Sequence, residues 1–339
     1  MALITKKKLS YPVGDQLMGF LRDFGRAQVA VKYSDLERYT SSIPLMDRNG
    51  SDTLWETVFF PQTEMVHLHE DLKKVYSNLK ADGDVSVIKH LFIDRIDLCP
   101  FGNTRPYRIR IVNRINDNFD YFYVKVADAS RVYGLELEHL LSPNRINYFV
   151  DGQTLIEEHI AGVPGDQFFK NYIDDPNMNK IRLAKEFVKF NERCFYRLLG
   201  DMHSSNFVIV ITPDFEEVSY RIRPIDFDQQ SYEGRKAVYM PKYFKQNNPI
   251  IQTGIEVMTS ESMFQYQLEE QSLMLSRARA AKFKLTQLLD VMCNDSIALP
   301  GNIKMLRKEL ADFHNEPKFL KCKNMGEILR MNLNMLGKD

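Results

Sequence analysis

Cysteine is scarce in this sequence and shows no spacing that suits a disulfide framework or a structural zinc site. The 339 residues include four cysteines, and none belongs to a CxxC motif. Small disulfide-stabilised domains and zinc sites both require cysteines at short, regular spacings. The four are Cys99, Cys194, Cys293 and Cys322. We therefore expect reduced thiols in a cytoplasmic protein.

The sequence also lacks an excess of charge and any long apolar run. Lys and Arg together number 45, as do Asp and Glu, so the formal net charge at pH 7 is zero. A balanced charge gives no general attraction to nucleic acid or to an anionic membrane. The opening MALITKKKLS has three lysines but no apolar run behind it, which predicts neither a secretory signal nor a membrane span. We expect no nucleic-acid partner and no membrane partner.

Repeats and low-complexity tracts are absent as well, and what remains is the composition of an ordinary globular protein. Apolar residues make up 44% of the sequence and charged residues 27%, which argues against a disordered or fibrous chain. A length of 339 residues is sufficient for two lobes around one cleft or for two small domains.

The first 83 residues are predicted to form an N-terminal helical extension. DRNGSD at 47–52 is typical of a turn. Residues 64–79 carry apolar side chains at helical spacing, namely Met65, Leu68, Leu72, Val75 and Leu79.

Residues 84–162 are predicted to form a small β-rich lobe that ends at an interlobe linker. VSVIKHLFIDRIDL, YRIRIVN and YFYVKV are candidates for three consecutive antiparallel strands. The run ASRVYGLELEHLL has helical spacing and ends before Pro143, which discourages continuation. A hairpin with its turn at Asp151-Gly152 follows, and the break AGVPG marks the boundary of the lobe.

Residues 163–339 are predicted to form a second, mainly helical lobe. Asp175 and Pro176 are expected to cap and begin a long helix that leads into GDMHSSN. FVIVI and YRIRP then predict a short strand pair, and helical spacing resumes over 262–292 and 302–335.

Two acidic loops flank that strand pair and carry the chemistry that phosphoryl transfer needs. Asp201 and Asn206 lie in the first loop, and Asp226 and Asp228 lie in the IDFD segment after the second strand. A phosphoryl-transfer site needs an aspartate to orient the attacking hydroxyl, and oxygen ligands from an asparagine and a carboxylate to hold magnesium on the phosphates. His203, within the first loop, is expected to bond the backbone and fix the loop.

The sequence resembles the aminoglycoside phosphotransferase and choline kinase-like family, whose catalytic loop has the pattern HGDxHxxN and whose metal motif has the pattern IDF/W-D/E. GDMHSSN and IDFD match both patterns. The resemblance covers residues 84–233 and implies an α+β, two-lobed protein-kinase-like fold with an antiparallel β-rich N-lobe and a mainly helical C-lobe. It implies ATP and Mg²⁺ as cofactors, Asp201 as the catalytic aspartate, Asn206 and Asp226 as metal ligands, and Asp228 as a second-rank metal ligand.

The same resemblance implies roles for residues upstream. Lys125 stands where the family has a lysine that contacts the nucleotide phosphates, and Glu138 or Glu136 on the following helix is its expected partner, with Glu138 favoured. Backbone atoms of Glu158 and Ile160, in the linker LIEEHIAGVPG, are expected to bind adenine. Gly102 is expected to bind the cofactor as well. It is the single glycine of CPFGNTRP, the loop expected to cover the phosphates.

Two departures from the family pattern keep alternatives open. Leu199 stands where the family usually has a histidine, and the phosphate-covering loop is poor in glycine. We expect an ATP-dependent kinase that phosphorylates a hydroxyl group of a small molecule. The alternatives are a protein Ser/Thr kinase of related fold, a pseudokinase-like module that binds nucleotide or a partner without turnover, and a structural α+β protein.

Overall fold

The computed structural model describes residues 8–27, 29–81, 83–213 and 218–338, and the chain divides into two compact units. The first unit comprises Met1–Ala129 and Ile146–His159, and the second comprises Ser130–Arg145 and Ile160–Asp339. Residues 1–7 of the lysine-containing opening segment lie outside the described residues. No helix in the described ranges has an apolar stretch long enough to cross a membrane.

The first unit combines a sheet with three helices among its described residues. The helices are α1 (Asp15–Asp23), α2 (Tyr33–Leu36) and α3 (Gln62–Lys80), and a 3₁₀ segment spans Val85–His90. The strands are β1 (Ser41–Met46), β2 (Asp52–Phe59), β3 (Leu91–Leu98), β4 (Tyr107–Asn113), β5 (Phe119–Val126), β6 (Tyr148–Asp151) and β7 (Thr154–Glu158).

All these strands belong to one antiparallel sheet with the order β1-β2-β3-β4-β5-β7-β6. The strand predicted at YRIRIVN is confirmed as β4, in which the apolar side chains are buried and the arginines are only partly buried. Helix α3 closes the core over this face, as the spacing of its apolar residues predicts. Its buried apolar residues are Leu68, Leu72, Val75 and Leu79.

The prediction that residues 1–83 form a helical extension is wrong for residues 41–59. Strands β1 and β2 form a hairpin there, and Glu56 and Thr57 on β2 pair with β3. Asp47 closes the hairpin, because its carboxylate accepts the amides of Asn49 and Ser51 at 2.8 and 2.9 Å. The segment therefore extends the sheet of the first unit.

The second unit is mainly helical. Its helices are α4 (Ala129–Leu141, in this unit from Ser130), α5 (Gly165–Asn171), α6 (Lys180–Arg197), α7 (Asn248–Val257), α8 (Ser260–Ala280), α9 (Lys282–Cys293), α10 (Pro300–His314) and α11 (Met325–Leu333). Strands β8 (Val163–Pro164), β9 (Phe207–Pro213) and β10 (Val218–Pro224) form an antiparallel sheet in the order β10-β9-β8. The fold is thus α+β, with an antiparallel sheet in the N-terminal region and a helical C-terminal region.

The long helix that leads into the first acidic loop begins later than predicted. Asn179 is the N-cap of α6, and its side-chain oxygen accepts the amide of Arg182 at 3.1 Å. Asp175 instead closes a local turn by accepting the amide of Asn177 at 2.8 Å. Both residue types can cap a helix or a turn, so the local sequence alone did not distinguish them.

Close packing of α11 against α9 gives a direct test of the second unit. A Cβ atom on Gly326 would lie 2.4 Å from the backbone of Met292, whereas one on Gly301 in α10 would meet nothing within 4 Å. We expect Gly326→Ala to lower the free energy of unfolding by roughly 1–3 kcal/mol or more through overpacking. We expect Gly301→Ala to leave it unchanged or raise it by up to about 1 kcal/mol.

Thermal and urea unfolding followed by circular dichroism measure this difference. Equal stability of the two variants would contradict the packing of α11 on α9.

Candidate active site

The register of the β9–β10 hairpin brings the two acidic loops to one end of the hairpin. Phe207 at the start of β9 pairs with Pro224 at the end of β10. The amide of Ile225 then donates to the carbonyl oxygen of Asn206 at 3.0 Å. Because these two residues are hydrogen-bonded, Asn206 and Asp226 lie at the same end of the strand pair.

The loop from Leu198 to Asn206 is held by backbone contacts. Leu198 and Asp201 adopt left-handed conformations with φ of 54° and 61°, which are uncommon for residues other than glycine. The amide of Gly200 donates to the carbonyl of Gln229 and that of Asp201 to the carbonyl of Val238, both at 3.1 Å. The loop is therefore fixed against the segment that follows the IDFD sequence.

Leu199, which departs from the family pattern, is completely buried and forms an isolated antiparallel bridge with Gln230. The Gln230 side chain donates to the carbonyl of Arg197 at 2.5 Å. An apolar side chain and backbone pairing thus anchor the start of this loop.

Side-chain bonds within the loop orient its polar groups. The Asn206 amide nitrogen donates to the carbonyl of Asp201 at 2.8 Å, so the Asn206 amide oxygen points away from that carbonyl. His203 Nδ1 accepts the amide of Ser205 at 3.4 Å, and His203 Nε2 lies 4.0 Å from Asp201 Oδ1. The backbone-fixing role expected of His203 is therefore confirmed.

Burial raises the pKa of the Asp201 carboxyl to about 6, against an ordinary value of 3.8. The charge of His203 lowers this pKa, and the negative charges of Asp226 and Glu233 raise it. A carboxyl whose pKa is near 6 can hold or release a proton close to neutral pH, which is what a general base requires.

Asp226 and Asp228 share an arginine that the sequence analysis missed. Arg131 Nη1, near the start of α4, donates to Asp226 Oδ1 at 2.9 Å and to Asp228 Oδ1 at 2.8 Å. The amide of Asp228 also donates to Asp226 Oδ1 at 2.9 Å. Nothing local in ASRVYG indicates this contact, because Arg131 and Asp226 are 95 residues apart in sequence.

The donor set suits a hard divalent cation. Asn206 and Asp226 offer only oxygen atoms, and the Asp226 side chain is 36% exposed. Among the described residues, no group of three or more His, Cys, Asp and Glu side chains could hold a metal ion. Magnesium usually takes only one or two protein carboxylates and completes its shell with water and phosphate oxygens, so these residues fit magnesium bound together with a nucleotide.

Lys125 and Glu138 lie in different units, each with partners in its own unit. Lys125 Nζ donates to Glu157 Oε2 on β7 at 2.7 Å, a partner that the sequence analysis did not propose. Glu138 is completely buried, and Arg197 Nη1 pairs with it. Burial raises the pKa of Glu138. The charge of Arg197 and the hydrogen bonds that the Glu138 carboxylate accepts lower that pKa more, so it lies below its ordinary value.

The other candidates are fixed by local packing. Glu136 pairs with Lys284 at 2.6 Å. The Glu158 amide donates to the carbonyl of Asn147 at 3.1 Å, and Ile160 is buried where the second unit begins again. A Cβ atom on Gly102 would lie 2.8 Å from Pro106, so this loop needs a glycine for its own packing.

A comparison with protein-family models and with curated proteins finds no match.

The raised pKa of Asp201 predicts a specific dependence of stability on pH. The folded pKa of about 6 lies above the ordinary value of 3.8, so the folded state binds more protons between these values and the free energy of unfolding falls as pH rises from about 4 to about 6. Because the side chain is 42% exposed, we expect Asp201→Asn to be only about 1 kcal/mol more stable near neutral pH.

Urea unfolding at several pH values tests this expectation, with Asp312→Asn as a control that removes an exposed carboxylate of the same unit. Carbon NMR of the carboxyl groups should also give a lower pKa for Asp201 in Asp226→Asn than in the wild type, because the negative charge of Asp226 raises this pKa. An Asp201 pKa near 4 in the wild type would contradict the assigned environment.

Proposed function

We propose that this protein is an ATP- and magnesium-dependent phosphotransferase that acts on a hydroxyl group of a small molecule, with a two-lobed kinase-like fold. The observation that carries the proposal is the hydrogen bond between Asn206 and Ile225 at the end of the β9–β10 hairpin. It joins the two loops whose sequences match the catalytic and metal motifs of the aminoglycoside phosphotransferase and choline kinase-like family. The raised pKa of Asp201 supports the same function.

Each residue of the two loops has a role in this mechanism. Asp201 orients the acceptor hydroxyl and accepts its proton, and its pKa near 6 keeps it mostly ionised at neutral pH. Asn206 and Asp226 would hold magnesium through their side-chain oxygen atoms. Magnesium bound there would supply positive charge to stabilise the transferred phosphoryl group. Lys125 is assigned to the nucleotide phosphates on the resemblance alone.

A second candidate function is a module that binds nucleotide without turnover. The observation that favours it is the pairing of Arg131 with both Asp226 and Asp228, which already neutralises carboxylates that a metal would use. This module and the kinase share the binding site and differ only in whether phosphate is transferred.

Nucleotide binding and turnover distinguish these functions. In the wild type we expect Mg²⁺ and ATP at about 100 times Kd to raise the melting temperature by roughly 5 °C, and phosphate to be released slowly from ATP. Asp201→Asn should keep the thermal shift but lower turnover by about 10²- to 10⁴-fold, because it loses only the proton acceptor. Asp226→Asn should lose both the thermal shift and the turnover, because it loses a metal ligand.

Asp312→Asn is the matched control, since it removes the same charge from an exposed position. It should behave as the wild type in both assays. A thermal shift without any turnover in the wild type would favour the binding module, and no shift at millimolar ATP would exclude both functions.

A further inference from the structure

Arg131 occupies the space between the two carboxylates of the metal motif. A single nitrogen atom, Nη1, donates to one oxygen of Asp226 and one oxygen of Asp228, at 2.9 and 2.8 Å. Nη2 donates to the carbonyl of Ile225 at 3.3 Å. The guanidinium group is thus bound to backbone and side-chain oxygens of one four-residue segment.

The arginine is part of the buried structure and not a surface side chain. Its side chain is 3% exposed, and the Asp228 side chain is 11% exposed. Its guanidinium carbon also lies 5.9 Å from the centre of the Phe227 ring. A buried guanidinium with this many partners keeps its charge and its position, because arginine stays protonated and its planar group forms directed bonds.

The two carboxylates therefore differ in what they can offer a metal. Asp226 is 36% exposed, so a cation can approach it from solvent. Both carboxylates accept a hydrogen bond from the same fixed cation, but Asp228 is nearly buried. A divalent ion bound to Asp228 would lie beside the positive guanidinium with little water between them, and like charges at this separation repel strongly where solvent does not screen them.

We infer that the site binds one divalent cation, at Asp226 and Asn206, and that Arg131 takes the place of a second one by neutralising Asp228. This inference rests on the proposed nucleotide site. Asp228 is then a positioning residue that holds Arg131, and Arg131 in turn orients the Asp226 carboxylate. This role for Asp228 replaces the expectation that Asp228 is a second-rank metal ligand.

The experiment counts bound metal ions without any need for turnover. The full-length protein is incubated with Mn²⁺ and a non-hydrolysable ATP analogue, and native mass spectrometry gives the number of Mn²⁺ ions in the protein–nucleotide complex. We expect one ion in the wild type, in Asp228→Asn and in Arg221→Gln, an exposed arginine on β10. We expect two ions in Arg131→Gln, because Asp226 and Asp228 no longer pair with the arginine. We expect none in Asp226→Asn.

Low-temperature electron paramagnetic resonance of the wild-type complex gives a second count that does not depend on whether any variant folds. It distinguishes an isolated Mn²⁺ ion, which we expect, from a spin-coupled pair. Two ions in the wild type, or one in a folded Arg131→Gln, would overturn the inference and leave the nucleotide site standing. Absence of both nucleotide and metal from the wild-type complex would overturn the proposed function and the inference together.

Discussion

The register of β9 against β10 is the constraint on which the candidate site depends. Strand side chains alternate between two faces, so a shift of one residue would turn every side chain of β10 to the other side of the sheet. With Phe207 opposite Pro224, the chain leaves the hairpin with Asn206 bonded to Ile225. That backbone bond places Asn206 and Asp226 at the same end of the strand pair.

Buried ion pairs hold the helix that supplies Arg131. Glu138 on α4 pairs with Arg197 on α6, and both side chains are fully buried. Arg193 on α6 pairs with Glu270 on α8 at 3.4 Å. Buried pairs add little net stability, because desolvation offsets their attraction, but loss of one partner costs about 3–5 kcal/mol. Their main effect here is to fix α4 against α6 and α6 against α8.

Local patterns in the sequence predicted much of the fold. The alternation in YRIRIVN predicted β4 with its bounds, and the spacing in ASRVYGLELEHLL predicted α4 with its bounds. The hairpin β1–β2 was not predicted, because its pairing with β3 depends on residues about 40 positions away. The start of α6 was misplaced, because Asp175 and Asn179 are both good capping residues.

The candidate site was predictable only where its chemistry is local. The loop around Asp201 and the segment around Asp226 are contiguous motifs, and the hairpin between them is short. Arg131 and Glu157 gave no such signal, because each meets its partner through the tertiary fold. The pKa of Asp201 could not be predicted either, because it depends on burial and on the charge of Asp226.

A crystal structure of the protein with Mg²⁺ and a non-hydrolysable ATP analogue would show whether the two acidic loops form the nucleotide site. We expect a magnesium ion about 2.0–2.1 Å from oxygen atoms of Asp226 and Asn206, with Arg131 still paired with Asp228. A nucleotide bound elsewhere, or a magnesium ion that does not contact Asp226, would contradict this expectation.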